Sequence, residues 1–140
     1  MKKQLKQSLI SAAITVVIVI LFFLATKGIP LWGAPKMEAI ERVEVTDLRL
    51  SDEPRVYTDP EKIELARKLM NFLNFKLNGE PQGEPVVTII YYKTDGSQAA
   101  VSANETTVWW HGKARALKDQ EMFIKLTEGV FFYDLVAGQR

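Results

Sequence analysis

The first apolar stretch of the chain runs from Leu9 to Ala25 without a charged residue. With one flanking residue at each end it makes 19 residues, which as a helix span roughly 28 Å, close to the ~30 Å hydrocarbon thickness of a bilayer. The pattern predicts one N-terminal transmembrane helix over residues 8–26, which would hold the protein in the lipid bilayer. The basic segment 1–7 precedes it.

This segment has the layout of a retained signal anchor and of a cleavable signal peptide. A cleavable signal has an apolar region of about 7–15 residues that ends at a small-x-small site. The run here is longer, and Phe23 stands where cleavage after Ala25 needs a small residue. We therefore expect the helix to be retained, with cleavage as the alternative. Because the chain has no cysteine, a lipidated-cysteine anchor is excluded.

Three lysines and no acidic residue precede the apolar run. Since positively charged flanks stay in the cytoplasm, we expect a cytoplasmic N-terminus and a domain outside the plasma membrane of a bacterium. Residues 27–37 contain two Gly and two Pro and predict an irregular linker. Within it, Trp32 is a candidate for the membrane interface, with docking on the domain as the alternative.

Residues 38–140 predict a single extracytoplasmic domain. Apolar and charged residues alternate over 40–50, and the change of parity at Thr46-Asp47 indicates a bulge or a break between two short strands. Asp59 and Pro60 then supply a cap and a first helical residue. The apolar spacing that follows predicts an amphipathic helix over 60–77, which Asn78-Gly79 would end.

A β-branched and aromatic stretch follows, and it starts a predicted antiparallel meander. Asp95-Gly96 and His111-Gly112 mark two of its turns, because these residue types tolerate positive φ. The predicted strands are 86–93, 98–103, 106–110 and 113–117.

The last apolar stripe predicts a second helix over 120–136, with Asp119 as its cap and a bend near Gly129. The order strand, helix, four strands, helix predicts an α+β fold in two layers. In it, two helices pack on one face of a mostly antiparallel sheet.

Charge and composition narrow the function classes. Three of the 18 Lys and Arg residues precede the apolar run, and none of the 17 Asp and Glu residues does, so the remainder carries a net charge of −2. This balance gives no electrostatic footprint for nucleic acid. No motif for a cofactor, a metal or a catalytic nucleophile occurs. His111, the one histidine, is expected to be a turn residue, and the protein is not expected to be an enzyme.

Two aromatic pairs supply the candidate contact residues: Tyr91-Tyr92 and Trp109-Trp110. Neighbouring residues of a strand point to opposite faces of a sheet, so one member of each pair would lie on the face without helices. An exposed apolar patch of this kind usually marks a partner surface. The alternative is that another segment or one helix covers this face.

Four stretches of the chain carry a resemblance to known proteins: Asp59–Ile63, Asn74–Lys76, Ile90–Gly96 and Trp110–Lys113. With them, about residues 40–136 resemble small exported or membrane-anchored domains of uncharacterised function from Gram-positive bacteria. The resemblance implies no activity and no catalytic residues. Many such proteins look lipid-anchored through a cysteine, which this chain lacks, so its helix would take that place.

These observations favour a non-enzymatic, single-pass membrane protein whose outer domain binds a protein or peptide partner, or a second copy of itself. The alternative is a sensor or carrier that holds a small apolar ligand between sheet and helices. A hydrolase is the third hypothesis, and it requires His111 to lie near a carboxylate and a cavity.

Overall fold

The computed structural model describes residues 2–27, 29, 31, 33–76, 79–118 and 122–137, and it has the predicted α+β class. The helices are α1 (Lys2–Lys27), α2 (Pro60–Leu69), α3 (Met122–Phe131) and α4 (Tyr133–Ala137). The strands are β1 (Ile40–Asp47), β2 (Arg55–Tyr57), β3 (Val87–Lys93), β4 (Gln98–Ala103), β5 (Thr107–Trp110) and β6 (Lys113–Ala116).

The N-terminal apolar run forms one continuous helix, α1, of 26 residues. Its segment Gln4–Phe22 is long and apolar enough to cross a membrane, and none of it is buried against the rest of the protein. A signal sequence near the N-terminus has the same two properties. The helix begins before the predicted span, because the polar residues that precede the run are also good helix formers.

The six strands form a single antiparallel sheet in the order β2-β1-β3-β4-β5-β6. The predicted meander corresponds to β3–β6. The predicted bulge or break at Thr46-Asp47 is wrong, since β1 is one strand that ends at Asp47 and the chain turns over residues 48–50. The register of β1 against β3 shifts instead between Ile40 and Arg42. The change of parity therefore marks the end of a strand.

Helices α2 and α3 pack on one face of the sheet, as predicted. Ile63, Ala66 and Leu69 of α2 are buried, as are Phe123 and Phe131 of α3. These side chains meet the inward-facing residues of the central strands. Those residues are Val43, Val45, Val87, Ile89, Tyr91 and Val101, and each is fully buried.

Helix α2 begins as predicted but ends early. The Asp59 carboxylate accepts a hydrogen bond from the backbone N–H of Lys62 at 3.2 Å. The helix gives way to a 3-10 turn over Met70–Phe72, so the predicted end at residue 77 is wrong. Phe75 is drawn away from helix geometry because it pairs with Ile29 and Leu117 in two antiparallel bridges. The expected stop at Asn78 lies outside the described residues.

The last predicted helix is divided in two. Its break falls at Phe132, between α3 and α4, and not at Gly129. Phe131 and Phe132 are both fully buried. Since a regular helix would turn two consecutive side chains about 100° apart, the break between α3 and α4 lets both rings enter the core. The predicted cap Asp119 lies outside the described residues.

The segment after α1 is irregular, and part of it is fastened to the domain. Ile29 and Phe75 exchange two backbone hydrogen bonds, with N–O distances of 2.8 and 2.9 Å. Further along, the Arg67 Nε–H donates to the Pro35 carbonyl at 2.9 Å. Trp32 lies outside the described residues, so its predicted place at the membrane interface stays a prediction.

Candidate functional site

The face of the sheet opposite the helices carries outward-pointing residues from all six strands. We call this surface the open face. Its members are half-buried or exposed, and no described helix packs on them. They form three rows across the strands: Thr46, Thr88, Ser102, Trp109 and Ala114; Val56, Glu44, Ile90 and Ala100; Arg42, Tyr92 and Gln98.

The structure divides the two predicted aromatic pairs between the two faces. Tyr92 and Trp109 lie on the open face and are half-buried. Tyr91 and Trp110 lie on the helix-covered side. Their prediction as contact residues is therefore wrong. Tyr91 is fully buried and Trp110 is 8% exposed. Tyr91 is fixed there because its hydroxyl donates to the Ala66 carbonyl of α2 at 2.6 Å.

Tyr92 is held in place by two neighbours on β1. The Arg42 guanidinium lies over its ring at 4.1 Å from the centroid. Its hydroxyl donates to Glu44 Oε2 at 2.7 Å. This hydrogen bond to a carboxylate raises the pKa of Tyr92 above its ordinary value. These two contacts fix the ring, and a ring that is already fixed loses little conformational entropy in any contact it makes.

The aromatic side chains do not touch each other. Trp109 lies two strands and two rows away from Tyr92, a distance of roughly 16 Å. Ile90 and Ala100 lie between them, while Thr88 and Ser102 share a hydroxyl hydrogen bond of 2.9 Å. The open face is thus a mixed surface with aromatic, aliphatic and hydroxyl groups, a composition that also occurs at protein interfaces.

A separate cavity of about 260 Å³ lies at the β5–β6 end of the domain. We call it the Trp110 pocket. Its apolar walls come from the segment after α1, from the segment after α2 and from β5. The full lining is Leu31, Phe75, Val108, Trp110, His111, Lys113 and Arg115.

His111 has the conformation predicted for a turn residue. Its φ is 51°, and Gly112 follows with φ 75°. The ring packs on Trp110, with centroids 4.1 Å apart. Although His111 lines the Trp110 pocket, the described lining residues include no carboxylate. Among the described residues, no three His, Asp or Glu side chains come close enough to hold a metal ion.

Sequence reasoning missed a buried carboxyl at the end of β1. Asp47 is fully buried, and its Oδ1 accepts from the Arg49 backbone N–H at 3.0 Å. Its Oδ2 has no donor among the described residues. Burial, followed by the effect of the neighbouring Glu128 carboxyl, raises the pKa of Asp47 to about 6. The signal in the sequence was the alternation Val43, Val45, Asp47, which places Asp47 on the same face of β1 as the two buried valines.

The comparisons with known proteins give a distant structural likeness. No family model matches the chain, and no curated protein matches it. A protein from Ruminococcus gnavus solved by NMR is similar over 71% of this chain and 99% of its own length. The identity is 14% and the TM-score is 0.44. That bacterium is Gram-positive, and the likeness carries no information on activity or partners.

Proposed function

We propose that the protein is a single-pass membrane protein that presents its open face to a protein partner. In this proposal α1 is retained, the N-terminus is cytoplasmic, and the domain lies outside a bacterial plasma membrane. The role is one of binding, without catalysis. A second copy of the chain is one such partner.

The observation that carries the proposal is an aromatic sheet face without a described covering element. Antiparallel sheets that face water on one side usually alternate apolar inward and polar outward residues. Here the outward rows include Tyr92, Trp109, Ile90 and Val56 beside the polar residues. Tyr and Trp are enriched at the centres of interfaces, where they provide contact area at low entropic cost.

Retention of α1 is supported by the length of its apolar run, and the lysines at its start support a cytoplasmic N-terminus. The chain that leaves the helix is also fastened to the domain, because Ile29 is paired with Phe75 only two residues after Lys27. A partner that approaches the open face therefore meets a domain held close to the membrane. This tether favours partners that are themselves in the membrane or at its surface.

A carrier of a small apolar ligand is the second candidate function. The predicted site between sheet and helices is occupied by core side chains such as Leu73, Ile89 and Phe123, each at most 1% exposed. The observation that keeps this candidate is the Trp110 pocket at the sheet edge, which has Leu31, Phe75 and Val108 in its walls.

Site-specific photo-crosslinking of the full chain in membranes tests the interaction proposal. The photoreactive residue replaces Ala100, at the centre of the open face, and in the control it replaces Glu64, an exposed residue of α2. We expect a protein adduct from position 100 and none from position 64. An adduct of twice the chain mass of 15.9 kDa identifies self-association.

The paired variant Tyr92→Ser with Trp109→Ser shows whether the aromatic residues carry the contact. We expect the adduct from position 100 to fall at least several-fold in this variant. In the control pair Thr58→Ser with Thr94→Ser, both residues are exposed and lie off the open face, so the adduct should persist. Equal adduct yields in the two pairs would refute the open face as the contact surface. Alkaline extraction of the same membranes checks retention of α1 separately.

A further inference from the structure

The Trp110 pocket lies beside the point where the chain leaves α1. Helix α1 ends at Lys27, and Ile29 already forms its bridge with Phe75, which lines the pocket. Two residues of extended chain reach at most about 7 Å. Leu31, four residues after the helix, forms part of the pocket wall. If α1 spans the bilayer, the pocket therefore lies at the level of the lipid headgroups or just outside them.

The pocket combines apolar walls with a cationic rim. The register of the β5–β6 hairpin pairs Val108 with Arg115 and Trp110 with Lys113, so these four side chains leave the same face of the sheet. Phe75 continues the apolar wall, and the Arg115 guanidinium lies 4.7 Å from the centroid of its ring. An aromatic wall beside cationic groups is the composition that proteins use at a membrane–water interface.

Within the described part of the chain, no acidic side chain forms an ion pair with the two cations of the rim. Elsewhere Arg55 pairs with Asp134, and Arg49 pairs with Glu128. Among the described residues, neither Lys113 nor Arg115 has a carboxylate partner within 4.0 Å. The described lining of the pocket contains no acidic side chain. The site is thus complementary to a negative charge attached to an apolar body.

The turn at His111 closes one side of this site. Gly33, with φ 86°, brings the chain so close that a Cβ there would lie 3.1 Å from His111 Nε2. The segment after α1 is therefore packed against the turn between β5 and β6. A volume of about 260 Å³ fits a phosphate with a few adjoining carbons, and it is too small for a folded peptide segment.

We propose that the Trp110 pocket binds the phosphate of an anionic phospholipid headgroup in the membrane that holds α1. Lys113 and Arg115 bind the phosphate oxygens, as cationic groups do at anionic lipid surfaces. Leu31, Phe75 and Trp110 contact the glycerol and the first acyl carbons. The inference rests on the proposed retention of α1, and it fixes the domain against the lipid surface with its open face directed away from this contact.

Fluorescence quenching by brominated lipids tests the proposal on the full chain in vesicles. Trp32→Phe and Trp109→Phe leave Trp110 as the sole indole, since the chain has three Trp residues. One vesicle contains brominated phosphatidylglycerol in unlabelled phosphatidylcholine, and the other contains brominated phosphatidylcholine at the same mole fraction in unlabelled phosphatidylglycerol. Bromine quenches only at short range, so the comparison reports which lipid lies next to Trp110. We expect at least a twofold stronger quenching by brominated phosphatidylglycerol.

In the double variant Lys113→Gln with Arg115→Gln, the Trp110 fluorescence should be quenched equally in the two vesicles. The control Lys68→Gln with Lys93→Gln removes the same charge from residues outside the pocket lining and should keep the preference. Two results would overturn the proposal. One is equal quenching by the two brominated lipids when Lys113 and Arg115 are present, and the other is a preference for brominated phosphatidylglycerol that persists in the double variant. A preference abolished by inorganic phosphate, at the bulk concentration of the lipid phosphate, would also overturn it and assign the pocket to a soluble anion.

Failure of this inference can be told from failure of the proposed anchoring. Alkaline extraction of the vesicles shows whether α1 holds the chain in the bilayer. A chain that resists extraction but shows no lipid preference leaves the anchor intact and refutes the pocket. A chain that is extracted refutes both, since the inference depends on the anchor.

Discussion

Tyr91 and Tyr92 are consecutive on β3, yet their hydroxyl groups donate to acceptors on opposite sides of the sheet. The Tyr91 hydroxyl bonds the Ala66 carbonyl at 2.6 Å, inside the core. The Tyr92 hydroxyl bonds Glu44 Oε2 at 2.7 Å, on the open face. Two residues of one chemical type thus serve different purposes, because one joins the sheet to α2 and the other remains available at the surface.

The Tyr91→Phe variant tests the buried bond. Burial raises the pKa of Tyr91, so its hydroxyl remains a neutral donor at ordinary pH. We expect the substitution to lower the free energy of unfolding by about 1–2 kcal/mol, because the Ala66 carbonyl loses a buried partner. Tyr92→Phe, the matched control, should change it by less than about 0.5 kcal/mol. Thermal unfolding of the full chain in detergent, followed by circular dichroism, makes the comparison; equal losses would contradict it.

Because Asp47 is buried, we predict that the free energy of unfolding falls as the pH rises. Burial and Glu128 raise its pKa from 3.8 to about 6, so the folded state binds the proton more tightly than the unfolded state. The contribution of Asp47 is then fully present below about pH 4 and is lost as pH rises through about 6, by at most about 3 kcal/mol. Denaturant unfolding between pH 4 and pH 7 measures this slope.

The Asp47→Asn variant separates this group from the other carboxyls. An amide resembles the protonated carboxyl, so we expect a flatter pH dependence than in the wild type and a higher stability at pH 7. The control is Asp52→Asn, at an exposed position in the turn before β2, and it should keep the slope of the wild type. A slope that persists in Asp47→Asn would assign the effect to another residue.

The cap of α2 is tested by Asp59→Ala. The Asp59 carboxylate satisfies the backbone N–H of Lys62, one of the groups that a helix start leaves without a partner. We expect a loss of about 1 kcal/mol in the free energy of unfolding. Thr58→Ala, at the exposed residue before the cap, should cost much less. Chemical denaturation of the full chain gives both values, and similar losses would show that the cap contributes little.

The turn at His111 is tested by substitutions that differ in their tolerance of positive φ. With φ at 51°, His111→Val should lower the free energy of unfolding by about 1–2 kcal/mol, because a β-branched side chain is strained there. His111→Asn should be close to neutral, since Asn accepts this conformation. If both variants unfold like the wild type in thermal melts, the backbone conformation is not what selects histidine.

Local signals predicted much of the fold because they depend on residues close in sequence. The uncharged run 9–25 predicts α1 by length alone. Asp59-Pro60 fixes the start of α2, and His111-Gly112 fixes a turn, because each acts through its own backbone conformation. The strand positions of β3–β6 follow from β-branched and aromatic residues between turn signals. No distant contact is needed for any of these assignments.

The sequence-based predictions are wrong or incomplete where a contact with a distant residue competes with a local preference. The apolar spacing up to residue 77 favours a longer helix, but Phe75 exchanges backbone hydrogen bonds with Ile29, which is far away in sequence. Similarly, apolar residues occur at both parities of β3, so the sequence did not tell which tyrosine faces inward. The covering helices decide that question, since they bury one face only.

The sequence by itself determined the apolar helix, the α+β order of elements and the caps and turns, since these follow from residue type and spacing. Only the tertiary structure decided that Tyr92 and Trp109 are accessible, that Asp47 is buried, and that the Trp110 pocket forms. The physical reason is that burial and pocket shape depend on which surfaces the folded chain brings together. Leu31, Phe75 and the hairpin with Trp110 and Arg115 are three separate parts of the sequence, and only folding makes them neighbours.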